Sequence, residues 1–252
     1  MSAALHITRA RIEAALALAC WPALWLVYSR EDWWQALLAP LAGPDQPVLY
    51  ERISLLAAAQ SHVLIVLAAM AAVIALGVPL AILATRKAGK PLLPLIANTA
   101  TIGQTLPPIA VLFLATPIFG FGPQAMMVAL FTYGLMPTVQ ATLIGWREID
   151  VDVRRAAEGI GIGPWRQLWA VELPLALPGL LTGVRTSLIL SVATASLAPI
   201  TGGVSLGTPI VSGLAVDNAS QVMEGALAVA LLALCSDYTM RVWQRRLTPW
   251  RT

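Results

Sequence analysis

Apolar residues fill this chain in runs of roughly 18–25, long enough to cross a bilayer as helices, and the polar residues collect between them. The runs predict spans at 12–29, 63–85, 92–117, 124–146, 176–200 and 221–238. An all-α bundle of about six membrane helices follows, in one domain over 1–252, because backbone exposed to lipid must satisfy its own hydrogen bonds. The first run has the start of an export signal, with Arg9 and Arg11 ahead of it and Ala17-Leu18-Ala19-Cys20 inside it. Its apolar character continues through Trp21 to Tyr28, which makes it a retained span. Between it and the second run, Pro40, Pro44 and Pro47 predict a loop, followed by an interfacial helix before His62 at the mouth of that run. His62 itself is expected to be an interfacial polar residue.

The one long polar interruption is 147–175, which holds Arg147, Glu148, Asp150, Asp152, Arg154, Arg155, Glu158, Arg166 and Glu172. Its pattern predicts two short helices with a break between them. Asp150 suits the N-cap of the first, and Asp152 adds negative charge to its first turn. Gly159, Gly161 and Gly163 end that helix, and Pro164 takes the first position of the next with Gly163 as its cap. Trp165, Leu168 and Trp169 share one face of the second helix, and Pro174 and Pro178 mark the return into the membrane.

Two apolar runs carry polar faces. Asn98, Thr101 and Thr105 recur at helical spacing with Gln104 beside them, ahead of a break or kink at Pro107-Pro108. In the fifth run Gly183, Ser187, Ser191, Thr194 and Ala198 share a face that serves either close packing or a polar lining. Arg185, deep in the same run, is expected to snorkel or to meet backbone carbonyls.

Composition agrees: 58% of residues are hydrophobic and 12% charged, which excludes a soluble domain. With both termini inside, the cytoplasmic side collects all but three of the 16 basic residues, the exceptions being Arg30, Arg52 and Arg185. The net charge of +3 needs no nucleic-acid partner to explain it. Cys20 and Cys235 fall in spans as buried small hydrophobes, and no Cys/His cluster has metal-ligand spacing. Gly203-Val204-Ser205-Leu206-Gly207 matches the nucleophile-elbow pattern but lacks the strand before it and a histidine after it. There is no phosphate-binding Gly-x-x-x-x-Gly-Lys-[Ser/Thr] loop, so if the chain pumps, the energy is expected to come from a partner.

The polar segment resembles the coupling loop of permease subunits of bacterial ATP-binding-cassette importers. That family's pattern is Glu-Ala-Ala, three residues, Gly, nine residues, Ile, any residue, Leu-Pro. Here Arg155-Ala156-Ala157 is followed at the same spacing by Gly161 and by Val171-Glu172-Leu173-Pro174. Arg155 replaces the family glutamate, and Val171 the isoleucine. Over about 55–238, NTATIGQTLPPIAVLF, VELPLALPGLLTGVRTSLIL and TGGVSLGTPI resemble the osmoprotectant branch, of the YehW type. The resemblance implies a type I importer permease fold in the bacterial inner membrane. It implies uptake of glycine betaine, choline or related quaternary ammonium compounds by alternating access. Arg155, Ala156, Ala157, Glu158, Gly161, Val171, Leu173 and Pro174 would couple to an ATPase subunit, which would bind ATP and Mg. Asn98, Thr101, Gln104, Thr105, Ser187, Ser191 and Thr194 are candidates for the path. A second permease, the same or paralogous, and a periplasmic binding protein would complete the assembly. A permease for an amino acid such as methionine is the nearest alternative, and an ion-coupled secondary carrier a more distant one.

Overall fold

The computed structural model describes residues 2–86, 89–96, 98 and 105–251. The described helices are α1 (Ser2–Ser29), α2 (Glu31–Leu38), α3 (Leu55–Thr85), α4 (Pro108–Phe119), α5 (Pro123–Arg147), α6 (Val151–Gly159), α7 (Pro164–Ala195), α8 (Thr208–Ala215) and α9 (Ala219–Leu247). No strand occurs among the described residues. Five helices are long and apolar enough to cross a membrane: α1 from Arg11, α3, α5, α7 and α9. The chain is therefore a multi-pass membrane protein.

The elements differ from expectation where a stop signal is missing or a proline is accommodated. Residues 55–62, expected as a separate interfacial helix, are the first turns of α3. Nothing between Val48 and Leu76 is Gly or Pro, and the Ser54 side chain caps the helix by accepting the Ala57 N–H. The span expected over 92–117 is not one helix in its described part. Residues 93–96 are helical, but Pro107 is extended (ψ 142°) and α4 starts afresh at Pro108, which restricts the residue before it. The second short helix and the span expected from 176 are continuous. The helix passes from Pro164 to Ala195 through one π turn at Leu168–Glu172, where the Leu173 N–H reaches back to the Leu168 carbonyl. Pro174 has no N–H to offer Ala170, and a wider turn just before it absorbs the mismatch.

α5 and α7 form the most extensive helix pair, and α3 packs on both. Their crossing is close because Gly145 faces Gly179: a Cβ on Gly179 would stand 2.9 Å from the Gly145 Cα. Higher up the same seam, the Ser187 hydroxyl donates to the Gly134 carbonyl at 2.5 Å, and the Thr138 hydroxyl lies 2.8 Å from the Ser187 oxygen. Ser191 points its hydroxyl at Met70 Sδ on α3, 3.7 Å away. Small hydroxyl residues satisfied across a helix seam are how membrane helices approach without apolar bulk. α1 closes the side of the bundle against α9, where Tyr28 donates to the Ala228 carbonyl at 2.7 Å and the free thiols of Cys20 and Cys235 meet.

His62 is not interfacial. It is fully buried in α3, with Nε2 3.0 Å from the Val192 carbonyl and Nδ1 accepting the Leu206 N–H at 3.3 Å. That pairing fixes a neutral ring with its proton on Nε2, tying α3 to α7 and to the 198–207 turn. The same turn explains the Gly-x-Ser-x-Gly match. Ser205 is buried and its hydroxyl oxygen accepts the Gly207 N–H at 3.0 Å, a local turn bond. His62→Ala strands two buried backbone groups and is expected to cost roughly 3 kcal/mol, at ~1–3 kcal/mol for each group. A fall in the thermal unfolding midpoint of the detergent-solubilised protein checks this; an unchanged midpoint would show that water replaces the ring.

Candidate coupling site

The polar segment folds as the spacing of its glycines dictates. Asp150 caps α6 by accepting the Asp152 N–H at 2.8 Å. The helix ends in a Schellman turn: the Ile162 N–H bonds to the Ala157 carbonyl, and the Gly161 N–H to the Glu158 carbonyl, both at 3.0 Å. Gly161 carries the left-handed residue of this turn (φ +79°), which an L side chain adopts only with strain. Gly159 belongs to the helix and Gly163 is extended, so of the three expected breakers one alone needs to be glycine. Pro164 then opens α7 with Gly163 as its cap.

This α6–α7 corner is nailed to the bundle by one residue that spacing did not single out. Glu172 sits in the π turn with its carboxylate buried. It accepts from Arg86 at the end of α3, from Trp146 Nε1 on α5 at 3.0 Å, and from Gln167 Nε2 at 3.5 Å. Arg154 of α6 lies 3.6 Å from its other oxygen and also donates to the Trp146 carbonyl at 2.5 Å. Beneath it, Trp146, Ile149 and Ala176 form a small apolar core with Ile82, Leu168 and Leu173 packed on it. One carboxylate thus joins the ends of two membrane helices to both helices of the loop. A rigid corner of this kind moves as a unit when pushed.

Val151, Val153, Ile160, Trp165 and Trp169 are all exposed on the α6–α7 corner, and the two indoles meet edge to face at 5.7 Å. Exposed apolar side chains interspersed with Asp152, Arg155 and Glu158 have the character of a protein-docking surface.

Residues 77–251 match the profile of a family described as "Binding-protein-dependent transport system inner membrane component". The chain belongs to this family. The permease is 37% identical over 198 residues to the Osmoprotectant import permease protein OsmY of Salmonella typhimurium, covering 79% of this chain and 84% of that one. It is 38% identical over 189 residues to the Choline transport system permease protein OpuBB of Bacillus subtilis, covering 75% and 86%. Its fold matches the inward-facing MetNI methionine ABC transporter with a TM-score of 0.67 at 20% identity, over 75% of this chain and 94% of that one. The permease is therefore a transport subunit and not itself an enzyme.

The expected coupling residues fall together on the α6–α7 corner. Ala156 and Ala157 supply turn carbonyls, Ala157 being buried, while Arg155 and Glu158 face outward. Arg155 pairs only with Asp152, at 3.5 Å between side chains 75% and 84% exposed, a contact worth little in water. Val171, Leu173 and Pro174 are half-buried at the root of α7. Of the expected path residues, Ser187, Ser191 and Thr194 are buried, with Ser187 bonded to Gly134 and Thr138 and Ser191 facing Met70. Asn98 and Thr105 are exposed, and Thr101 and Gln104 lie outside the described residues. Among the described residues, Arg185 bonds to a side chain rather than to a backbone carbonyl. It pairs with Asp237 of α9 at 2.6 Å, and Arg241 takes the other oxygen of that carboxylate.

Proposed function

We propose that the permease is the membrane subunit of an ATP-driven importer of quaternary ammonium osmoprotectants such as glycine betaine or choline, in the bacterial inner membrane. The observation that carries the mechanism is the α6–α7 corner: an exposed apolar docking face bonded rigidly through Glu172 to α3 and α5. ATP and Mg bound by a partner ATPase pair would close that pair beneath the corner. The corner would then swing α3, α5 and α7 together, reopening the path toward a docked periplasmic binding protein. Arg155, Ala156, Ala157, Glu158, Gly161, Val171, Leu173 and Pro174 form the proposed ATPase coupling set. Asn98, Thr101, Gln104 and Thr105 remain the proposed path residues. The osmoprotectant and choline for which the two permease relatives are named support the quaternary ammonium class. The methionine transporter shares 20% identity, which bears on fold alone.

The test is labelled glycine betaine and choline uptake in cells lacking other carriers for them, with the permease co-expressed with its ATPase and binding protein. Gly161→Leu is expected to insert normally and to lose uptake. The left-handed turn is strained by about 1–2 kcal/mol, and a Cβ there meets nothing within 4 Å beyond its chain neighbours, so the new side chain enters open space at the corner. Full uptake by Gly161→Leu would overturn the role of the loop, and uptake without the ATPase would overturn the energy source.

A further inference from the structure

At the end of the bundle opposite the coupling corner, the segment 43–54 is strapped across the start of α9 by a row of side chains. Asn218 donates to the Pro47 carbonyl at 2.9 Å and Gln221 to the Leu49 carbonyl at 3.3 Å, while Glu224 accepts the Tyr50 N–H at 2.9 Å. The first two are neutral amides, matched to neutral backbone. The third places a carboxyl group where a glutamine carbonyl would accept the same bond. Glu224 is 2% exposed, and among the described residues its second oxygen accepts no hydrogen bond and no cation lies within ion-pair distance. A buried carboxylate without a counter-charge costs several kcal/mol in a protein interior, and a cation in the adjoining cavity would offset that cost.

The space beside it suits such a partner. Glu224 lines a cavity of about 270 Å³ together with Trp34, Tyr50, Glu31 and Glu51. That volume lies just under the ~300–1,000 Å³ typical of sites for drug-sized ligands, so it fits a smaller organic molecule. Trp34 is buried and its indole N–H is held by the Val27 carbonyl at 2.9 Å, which fixes the ring at the cavity wall. A hard metal ion would need six or more converging oxygens. Aromatic walls with flanking carboxylates instead favour a diffuse organic cation, attracted to ring faces as well as to charge.

We propose that this cavity binds a small methylated-ammonium cation, with Glu224 as its counter-charge and Trp34 and Tyr50 as its aromatic walls. The charge, size and rings argue for an organic cation by themselves; the choice of a methylated ammonium rests on the transport reading above. Because the site is anionic, it ranks choline and tetramethylammonium above glycine betaine, whose carboxylate meets three others.

Equilibrium binding of labelled choline to the permease–ATPase complex in nanodiscs, without the binding protein, tests this. Wild type is expected to bind choline, to exchange it for tetramethylammonium and to hold it against equal KCl. Glu224→Gln keeps the Tyr50 bond and is expected to weaken choline more than about tenfold, as removal of a buried counter-charge does. Trp34→Leu should weaken it as well. No binding, equal binding by Glu224→Gln, or displacement by equal KCl would each overturn the site. Uptake with the binding protein is measured separately. Uptake without this binding sinks only the site, whereas binding without uptake sinks only the transport reading.

Discussion

Replacing Glu172 with leucine is expected to stop substrate uptake while the assembled complex goes on hydrolysing ATP. The substitution removes the only carboxylate at the coupling corner that Arg86 and Arg154 share, and it leaves the indole N–H of Trp146 and the amide of Gln167 without their acceptor. Breaking a buried pair by deleting one partner costs ~3–5 kcal/mol. The arginines here remain 32% and 33% exposed, so the low end, about 3 kcal/mol, applies. Much of that cost falls on the joints between α6, α3 and α5 rather than on the seam between α5 and α7, where Ser187, Thr138 and Gly134 are untouched. The chain should therefore stay folded and inserted while the corner loosens. Glu172→Gln keeps an acceptor for Trp146 but not the charge, and should fall between leucine and wild type. The deciding measurement is the number of ATP molecules hydrolysed per substrate imported. A wild-type ratio in Glu172→Leu would mean that force passes from the loop to the bundle by another route.

The parts of this site that were legible in the sequence are those written in local spacing. The interval from Ala157 to Gly161 and Ile162 is the interval of a helix-ending turn, and the backbone closes it with the two bonds that turn requires. Apolar runs gave the membrane helices for the same reason, since crossing a bilayer is a demand on consecutive residues. Glu172 was not legible, because its meaning lies in partners as far as 86 residues away. Arg185 and Asp237, 52 residues apart, were hidden in the same way. Ser187, Ser191 and Thr194 were ambiguous for a different cause. A small polar residue every third or fourth position is the pattern both of a tight helix seam and of a wetted wall, and only the position of the neighbouring helix separates them. The span expected from 176 joins the short helix before it because Pro174 forbids one hydrogen bond, not a helix; the turn before it could widen.

Gly179→Leu is expected to remove the folded permease from the membrane altogether. A Cβ at this position would stand 2.9 Å from the Gly145 Cα and 3.1 Å from the Ala141 carbonyl oxygen. Both obstacles are backbone of α5, so no side chain can rotate aside. From the other side, a Cβ on Gly145 would meet the Ala176 carbonyl at 2.8 Å. The only relief is to part α5 from α7, and that seam also holds the Ser187–Gly134 and Thr138–Ser187 bonds. Overpacking of a well-fitted contact costs ~1–3 kcal/mol where side chains can shift. Against rigid backbone the upper end or beyond applies. The expected result is loss of the monodisperse peak in detergent and degradation in cells. Gly159→Ala is the matched control: its backbone is helical, nothing lies within 4 Å of the added carbon, and the helix gains roughly 0.5–1 kcal/mol from losing a glycine. If Gly179→Leu and Gly159→Ala were equally well behaved, α5 and α7 could not be crossing at Gly145 and Gly179. The route from the coupling corner through α5 into α7 would then have no rigid second half.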